Sequence, residues 1–287
     1  MKYQKVLKNN NKIASDTTCQ KQQMQMADNL SIRFVFSGSE TYQIGKRQLA
    51  VHPDTFLILN EDTQFTSRID AIDPVQSFAL TFDRTYLSDF LRSQTLTEEA
   101  LLANPADKPV LYNFEETLYP LKGDMRYNLL HLKEQTERGL QDEFLLNEYL
   151  YHCLINYYKV YQEEIFDKEA RLTFLNHSTK IEILRRLNLA KEYMLGNYDQ
   201  SISLDDIAEY ACLSVNHFLR TFKQAFDMSP HQYLTKIRLQ RARHLIKTTN
   251  MPINEIVHLV GFECPSSFIR LFKSKYHTTP LQYKLTA

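Results

Sequence analysis

The carboxyl-terminal stretch of this chain is written twice, and that duplication restricts the fold more than any other feature of its 287 residues. Ile207-Ala208 corresponds to Ile256-Val257 at an offset of 49. Past the first helix the offset is 50. It pairs Phe218 with Phe268, Arg220 with Arg270, Phe222 with Phe272 and Lys223 with Lys273, then Pro230 with Pro280, Gln232 with Gln282 and Tyr233 with Tyr283. The one-residue change falls in a turn, where added length is cheaply absorbed. Two copies of a unit imply two copies of a surface.

Each copy reads as helix, turn, helix. In the first, about 204–226, Ser203 caps a helix with Asp206 three residues on, the capping-box spacing. Leu204, Ile207, Ala208 and Ala211 make its apolar side. Ser214 caps the next helix, where Val215, Phe218, Leu219, Phe222 and Phe226 form an apolar stripe. Asn216, His217, Arg220, Lys223 and Gln224 are left on the opposite side. In the second copy, about 253–276, Gly261 closes the turn by taking positive φ. Phe268, Leu271, Phe272 and Tyr276 face inward there, and Ser266, Ser267, Arg270 and Lys273 outward. The phenylalanines, four apart, are core and not platforms for stacked bases.

Between the copies, Ser229-Pro230 is a cap followed by proline at the first helical position. A helix of 19 residues from there to Thr248 is roughly 28 Å long. Such a rod spaces two recognition helices by something near one turn of B-DNA, roughly 34 Å. One polypeptide can then place both in successive major grooves. Arg220 and Arg270 are the candidates for reading bases, since an arginine on a groove-bound helix can bond guanine O6 and N7 together. Asn216, His217, Ser266 and Ser267, near the helix N-termini, are further candidates for base contact. Ser214, Lys223, Gln224 and Lys273 are assigned to phosphates, which position the protein without reading sequence.

The charge balance agrees with that assignment. The net charge is zero, yet Leu213 to the end holds 11 Lys/Arg against 3 Asp/Glu, and Met1 to Cys212 holds 23 against 31. A surface facing a polyanion is thus expected at one end only. No apolar run approaches the roughly 20 residues that span a bilayer, and Met1 to Gln25 lacks the apolar centre of a secretory signal. Cys19, Cys153, Cys212 and Cys264 lie far apart without a CxxC pair, which predicts reduced thiols and a cytoplasmic protein.

The amino-terminal half changes period. Leu30, Ile32, Phe34 and Phe36 alternate with Ser31 and Arg33, as in a half-buried strand. Turns at Ser37-Gly38-Ser39 and His52-Pro53-Asp54 separate further short runs, including Phe56-Leu57-Ile58-Leu59, and Phe78, Leu80 and Phe82 alternate again. Strands so short predict a small β-barrel or jelly roll. From Gln141 to about Ile165 the period is helical, with Leu146, Leu150, Cys153, Tyr157 and Val160 spaced as a seam of about two heptads. That seam is read either as a helix packed on its own barrel or as a dimer interface. Residues 167–180 read as a linker, and helical pattern resumes at Ile181, with Leu184, Leu187, Ala190 and Met194 on one face and Gly196 as a stop.

The doubled segment resembles the DNA-binding domain of the AraC/XylS family of transcriptional regulators. The resemblance is carried over about 100 residues by Leu204-Asp-Asp-Ile-Ala208, Leu213-Ser214, Phe218-x-Arg220-x-Phe222-Lys223, Ser229-Pro230, Arg238-x-x-x-Ala242-x-x-Leu245, Ile253-Asn-Glu-Ile256, Gly261-Phe262, Ser267-Phe268-x-Arg270-x-Phe272-Lys273 and Thr279-Pro280-x-x-Tyr283. Most members keep a glycine before the leucine-serine pair, where this chain has Cys212, and before each Ser/Thr-Pro step, where Asp227 and His277 lie. A jelly-roll (cupin-like) sensor followed by helices that often dimerise is common in the family. The stretches Phe36 to Tyr42 and Leu49 to Leu59 fit that type.

The resemblance implies an α+β chain with four parts. A cupin-like regulatory domain occupies 1–122, a helical segment 123–166, a linker 167–180, and an all-α DNA-binding domain with two helix-turn-helix units 181–287. It implies a sequence-specific regulator, by family habit an activator, that binds double-stranded DNA and addresses RNA polymerase. A small-molecule effector in the barrel and a homodimer are further partners it suggests. No cofactor, metal or membrane is expected. His52 stands without an HxH partner, and the 6 glycines of the chain build neither a GxSxG elbow nor a phosphate loop, so no enzyme is expected. Two other readings stay open: a cupin enzyme or small-molecule-binding protein with a DNA-binding appendage, and a regulator whose amino-terminal half binds another protein. A polar-lined pocket would count against the latter.

Overall fold

The period-2 patterning builds one antiparallel sheet. In the computed structural model, which describes residues 2–96, 113–139, 142–174 and 176–286, the chain divides into two units, Met1–Glu164 and Ile165–Ala287. The first contains β1 (Lys2–Val6), β2 (Lys12–Met26), β3 (Leu30–Ser37), β4 (Glu40–Ile44), β5 (Arg47–Val51), β6 (Thr55–Leu59), β7 (Gln64–Phe82) and β8 (Leu118–Pro120). They pair in the order β1-β2-β7-β3-β6-β8, with β4 joined to β5 and β7. The 19-residue β7 organises the sheet, pairing along its length with β2 and over shorter stretches with β3 and β4.

The closed barrel expected from the sequence is not formed. Among the described residues the sheet stays open, with β1, β8 and the off-path β5 each paired on one side only. Two of these edges resist further pairing: β1 carries Lys5, and β8 is three residues long and ends at Pro120, which has no N–H to donate. His52, considered above for metal chemistry, sits in the β5–β6 turn, where its carbonyl accepts from the Thr55 amide at 2.9 Å.

One sheet face is apolar, with Ile32, Phe34, Phe56, Ile58 and Leu80 all fully buried. The described helices of this unit are α1 (Arg84–Thr95), α2 (Gly123–Glu137) and α3 (Glu143–Tyr161). Asp142 caps α3 by accepting from the Phe144 and Leu145 amides; Gln141, where the sequence places the start of this helix, and residues 97–112 lie outside the described residues. All five seam residues of α3 (Leu146, Leu150, Cys153, Tyr157 and Val160) are buried within the chain's own fold. The Tyr157 ring meets Phe114, Tyr119 and Phe56 at centroid distances of 5.1, 5.8 and 6.1 Å. Packing on the chain's own sheet is therefore what the seam does here. Burial pushes the Cys153 thiol up to about 12.

The second unit is helical. A π-helical turn at Gln162–Phe166 leads into α4 (Asp167–Arg171), then α5 (His177–Gly196), α6 (Leu204–Tyr210), α7 (Val215–Phe226), α8 (Pro230–Thr248), α9 (Ile253–Leu259), α10 (Pro265–Tyr276) and α11 (Pro280–Thr286). The stretch 167–180 expected as linker thus holds α4 and the start of α5, with Leu172 buried between them. On α5, Ile181 is exposed and Ile183 takes the inward place, beside Leu184, Leu187, Ala190 and Met194. No described helix is long and apolar enough to cross a membrane.

Candidate nucleic-acid interface

Both copies of the repeat fold as helix, turn, helix, and the turns are made alike. The Cys212 amide donates to the Glu209 carbonyl and that of Leu213 to Ala208, both at 2.9 Å; Gly261 donates to His258 and Phe262 to Val257, both at 3.0 Å. This is the Schellman pattern, which needs a left-handed residue at its centre. Gly261 supplies it at φ +83°, and Cys212 at +53°. Asp227 (+53°) and His277 (+60°) also end α7 and α10 in left-handed conformation, but with the single-bond αL motif, their amides donating to the Lys223 and Lys273 carbonyls. So three non-glycine residues adopt the left-handed conformation that glycine takes at Gly261, at up to about 1–2 kcal/mol of strain for Cys212 and less for Asp227 and His277. Arg186 of α5 helps hold the first turn, donating to the Cys212 carbonyl at 2.8 Å.

Beyond each reading helix a cap restarts the chain. Ser229 and Gln232 form a capping box at α8, and Thr279 and Gln282 exchange the same pair of bonds at α11. Arg238 of α8 donates to the Tyr198 and Gln200 carbonyls at 2.7 and 2.8 Å, tying the α5–α6 loop to the long helix. Gly261 packs on that loop so closely that a Cβ would stand 2.7 Å from the Tyr198 carbonyl oxygen.

Of the residues expected inward on α7 and α10, Phe218, Phe222, Phe268 and Phe272 are fully buried and Phe226 nearly so, while Val215, Leu219, Leu271 and Tyr276 are half-buried. Turned away from them, Asn216, Arg220 and Lys223 are exposed on α7, and Ser266, Arg270 and Lys273 on α10. These six occupy equivalent positions, each set at i, i+4 and i+7 and so on one stripe. Among the described residues, none of the four cations is held in an ion pair. They are available to phosphate or base edges. Ser214 caps α7 by position, without a side-chain hydrogen bond, and is exposed.

His217 and Gln224 are placed differently. They lie on the flank of α7, half-buried, where the Phe174 ring stands 5.9 Å from the His217 ring and Gln224 Nε2 donates to Thr173 Oγ1 at 3.1 Å. The connector therefore lies against two of the residues assigned to DNA. Ser267, the counterpart of His217, is also half-buried. Its amide and hydroxyl, then the Ser266 amide and the Arg270 guanidinium, hold the exposed Cys264 thiol at the head of α10 below its ordinary range. Sequence reasoning puts Leu219 in the apolar stripe and gives Ile269 no place; Leu219 is half-buried and Ile269 exposed, and the i, i+3 relation to Asn216 and Ser266 is the pattern that reveals them.

Comparison with known proteins agrees with this construction. A helix-turn-helix domain model matches residues 207–285, and a model of the AraC-type transcriptional regulator N-terminus matches residues 14–187. The chain is 25% identical over 263 residues to the raffinose operon transcriptional regulatory protein RafR of Pediococcus pentosaceus, covering 90% of this chain and 85% of that one. It is 35% identical over 100 residues to an HTH-type transcriptional regulator of Haemophilus influenzae, covering 35% of this chain but only 34% of that relative. Among solved structures, the C-terminal domain of the response regulator AraT from Geobacillus stearothermophilus is 31% identical, over 36% of this chain and 85% of that one, at a TM-score of 0.34. Because the N-terminal model alone spans more than half of the sequence and the helix-turn-helix model takes in both copies of the repeat, the chain belongs to the AraC-type family of transcriptional regulators.

Proposed function

We propose that the protein is a sequence-specific DNA-binding regulator that lays α7 and α10 in successive major grooves of one duplex. The observation that carries this reading is the pair of matched outward stripes, Asn216-Arg220-Lys223 and Ser266-Arg270-Lys273, on two modules joined by a single rigid helix. Arg220 and Arg270 each read a guanine, and Lys223 and Lys273 hold phosphate. Arg220→Ala and Arg270→Ala should each weaken specific binding by about 1–3 kcal/mol while the fold survives. A footprinting titration checks this, and retention of full affinity and base preference by both variants would sink the assignment.

The sheet unit supports regulation by a small polar effector. A cavity of about 330 Å³ is lined by Tyr3, Asp16, Lys21, Arg33, Glu40 and Tyr42, among others. Glu40 is fully buried, accepts from Lys21 Nζ at 2.8 Å and has the Tyr42 hydroxyl as a further hydrogen-bond neighbour, while among the described residues Arg33 Nε and the Tyr3 hydroxyl have no partner. Buried polar atoms left in this way around one cavity invite a ligand that both donates and accepts, which favours an effector over a filled, protein-binding sheet. Polar compounds that raise the melting temperature of the wild type should lose that effect in Arg33→Ala. Effects that persist in the variant place the ligand elsewhere.

A further inference from the structure

The outward stripe of α10 is polar except at one place. Ser266, Ile269, Arg270 and Lys273 stand at i, i+3, i+4 and i+7 and share one side of the helix. Ile269 is 42% exposed. It takes no part in the core of its module, which draws Leu271 and Tyr276 from the same helix. On α7 the equivalent residue is Leu219, half-buried beside Asn216, Arg220 and Lys223. A single exposed aliphatic residue is ordinary on a protein surface. One ringed by three groups that face DNA on that reading, and matched by another aliphatic in the first copy, stands where base edges come close. The apolar group on a base edge in the major groove is the C5 methyl of thymine.

We propose that Ile269 is a specificity-determining residue that packs on a thymine methyl beside the base pair read by Arg270, and that Leu219 does the same in the other half-site. This rests on the reading of α7 and α10 as groove-bound helices. A β-branched side chain has few rotamers to lose, so the contact is made at small entropic cost. The same side chain disfavours cytosine, whose N4 amino donor it would leave without an acceptor. Arginine and isoleucine side by side then read one polar and one apolar feature of adjacent pairs.

The test uses the full-length chain and a duplex library with a randomised core. The duplex bound best is remade with deoxyuridine at each thymine in turn, a change that removes the methyl group alone. Wild-type affinity is expected to fall about four-fold at one thymine per half-site, the effect of one methylene-sized apolar contact. In Ile269→Ala the penalty at one of the two should vanish, and in Leu219→Ala the penalty at the other. Ile269→Thr, which keeps a methyl at the branch, should retain part of it. Deoxyuridine substitutions without effect on the wild type, or with equal effect on the wild type and Ile269→Ala, overturn the methyl contact and leave base reading by the arginines standing. A library from which no sequence is enriched overturns both together.

Discussion

The first helix-turn-helix module caps its leading helix with the Ser203–Asp206 box, turns at Cys212 and has Thr173 and Phe174 of the connector against its reading helix. The second starts at Pro252 without a side-chain cap, turns at Gly261 and leaves Ser274, the counterpart of Gln224, exposed. The outward stripes are nonetheless equivalent in position, Arg220 and Lys223 matched by Arg270 and Lys273 and Asn216 by Ser266. The two modules thus share the outward stripe and a left-handed turn, while caps and flanks differ with their surroundings. Equivalence at the surface does not extend to the supports beneath it.

The largest expected difference is at the turns. Gly261→Ala must bear left-handed strain and push back the Tyr198–Asp199 backbone, so it should destabilise the second unit by about 3 kcal/mol or more. Cys212→Gly releases strain but adds chain entropy to the unfolded state, and should stay within about 1 kcal/mol of wild type. Urea unfolding followed by circular dichroism measures both, and similar midpoints for the two variants would break the comparison. Next comes the connector. Leu172→Ala removes a buried side chain where α4 ends, at about 2–3 kcal/mol. Faster hydrogen exchange should then appear in α7 and not in α10, whereas uniform acceleration would mean the connector is not specific to the first module.

The smallest effect concerns the capping box. The Ser203 hydroxyl and amide hold the Asp206 carboxyl below its ordinary value. A lowered carboxyl stabilises the fold above the unfolded-state value and loses that contribution as pH falls through the lowered one. The acid limb of the melting profile should therefore be shallower in Asp206→Asn. An unchanged limb would show that other groups dominate it.

Much of the second unit is legible in the sequence because its determinants are local. The Ser203–Asp206 box, the Ser229-Pro230 start, and the inward phenylalanines at a spacing of four all act within one or two helical turns. The misplaced elements depend on remote partners. His217 and Gln224 are polar residues on an apparently free flank, and nothing in α7 reveals that residues 173–174 will lie there. Cys212 and His277 take left-handed backbone that their own preferences oppose, held by Schellman bonds at the turn and by the restart of the chain beyond α10. In the sheet unit, period 2 sends Ser31 and Arg33 toward water, yet Ser31 is buried and Arg33 lines the cavity. The polar β2, with its run from Gln20 to Gln25, offers no hydrophobic alternation, and its pairing partner β7 lies some 40 residues or more further along the chain.

The placement of Thr173 and Phe174 makes the two readers unequal in one more respect. The backbone just ahead of α5 touches the helix that begins at Val215 through Phe174 and Thr173. Under the proposed reading, a displacement of that backbone would bear first on the half-site held by α7.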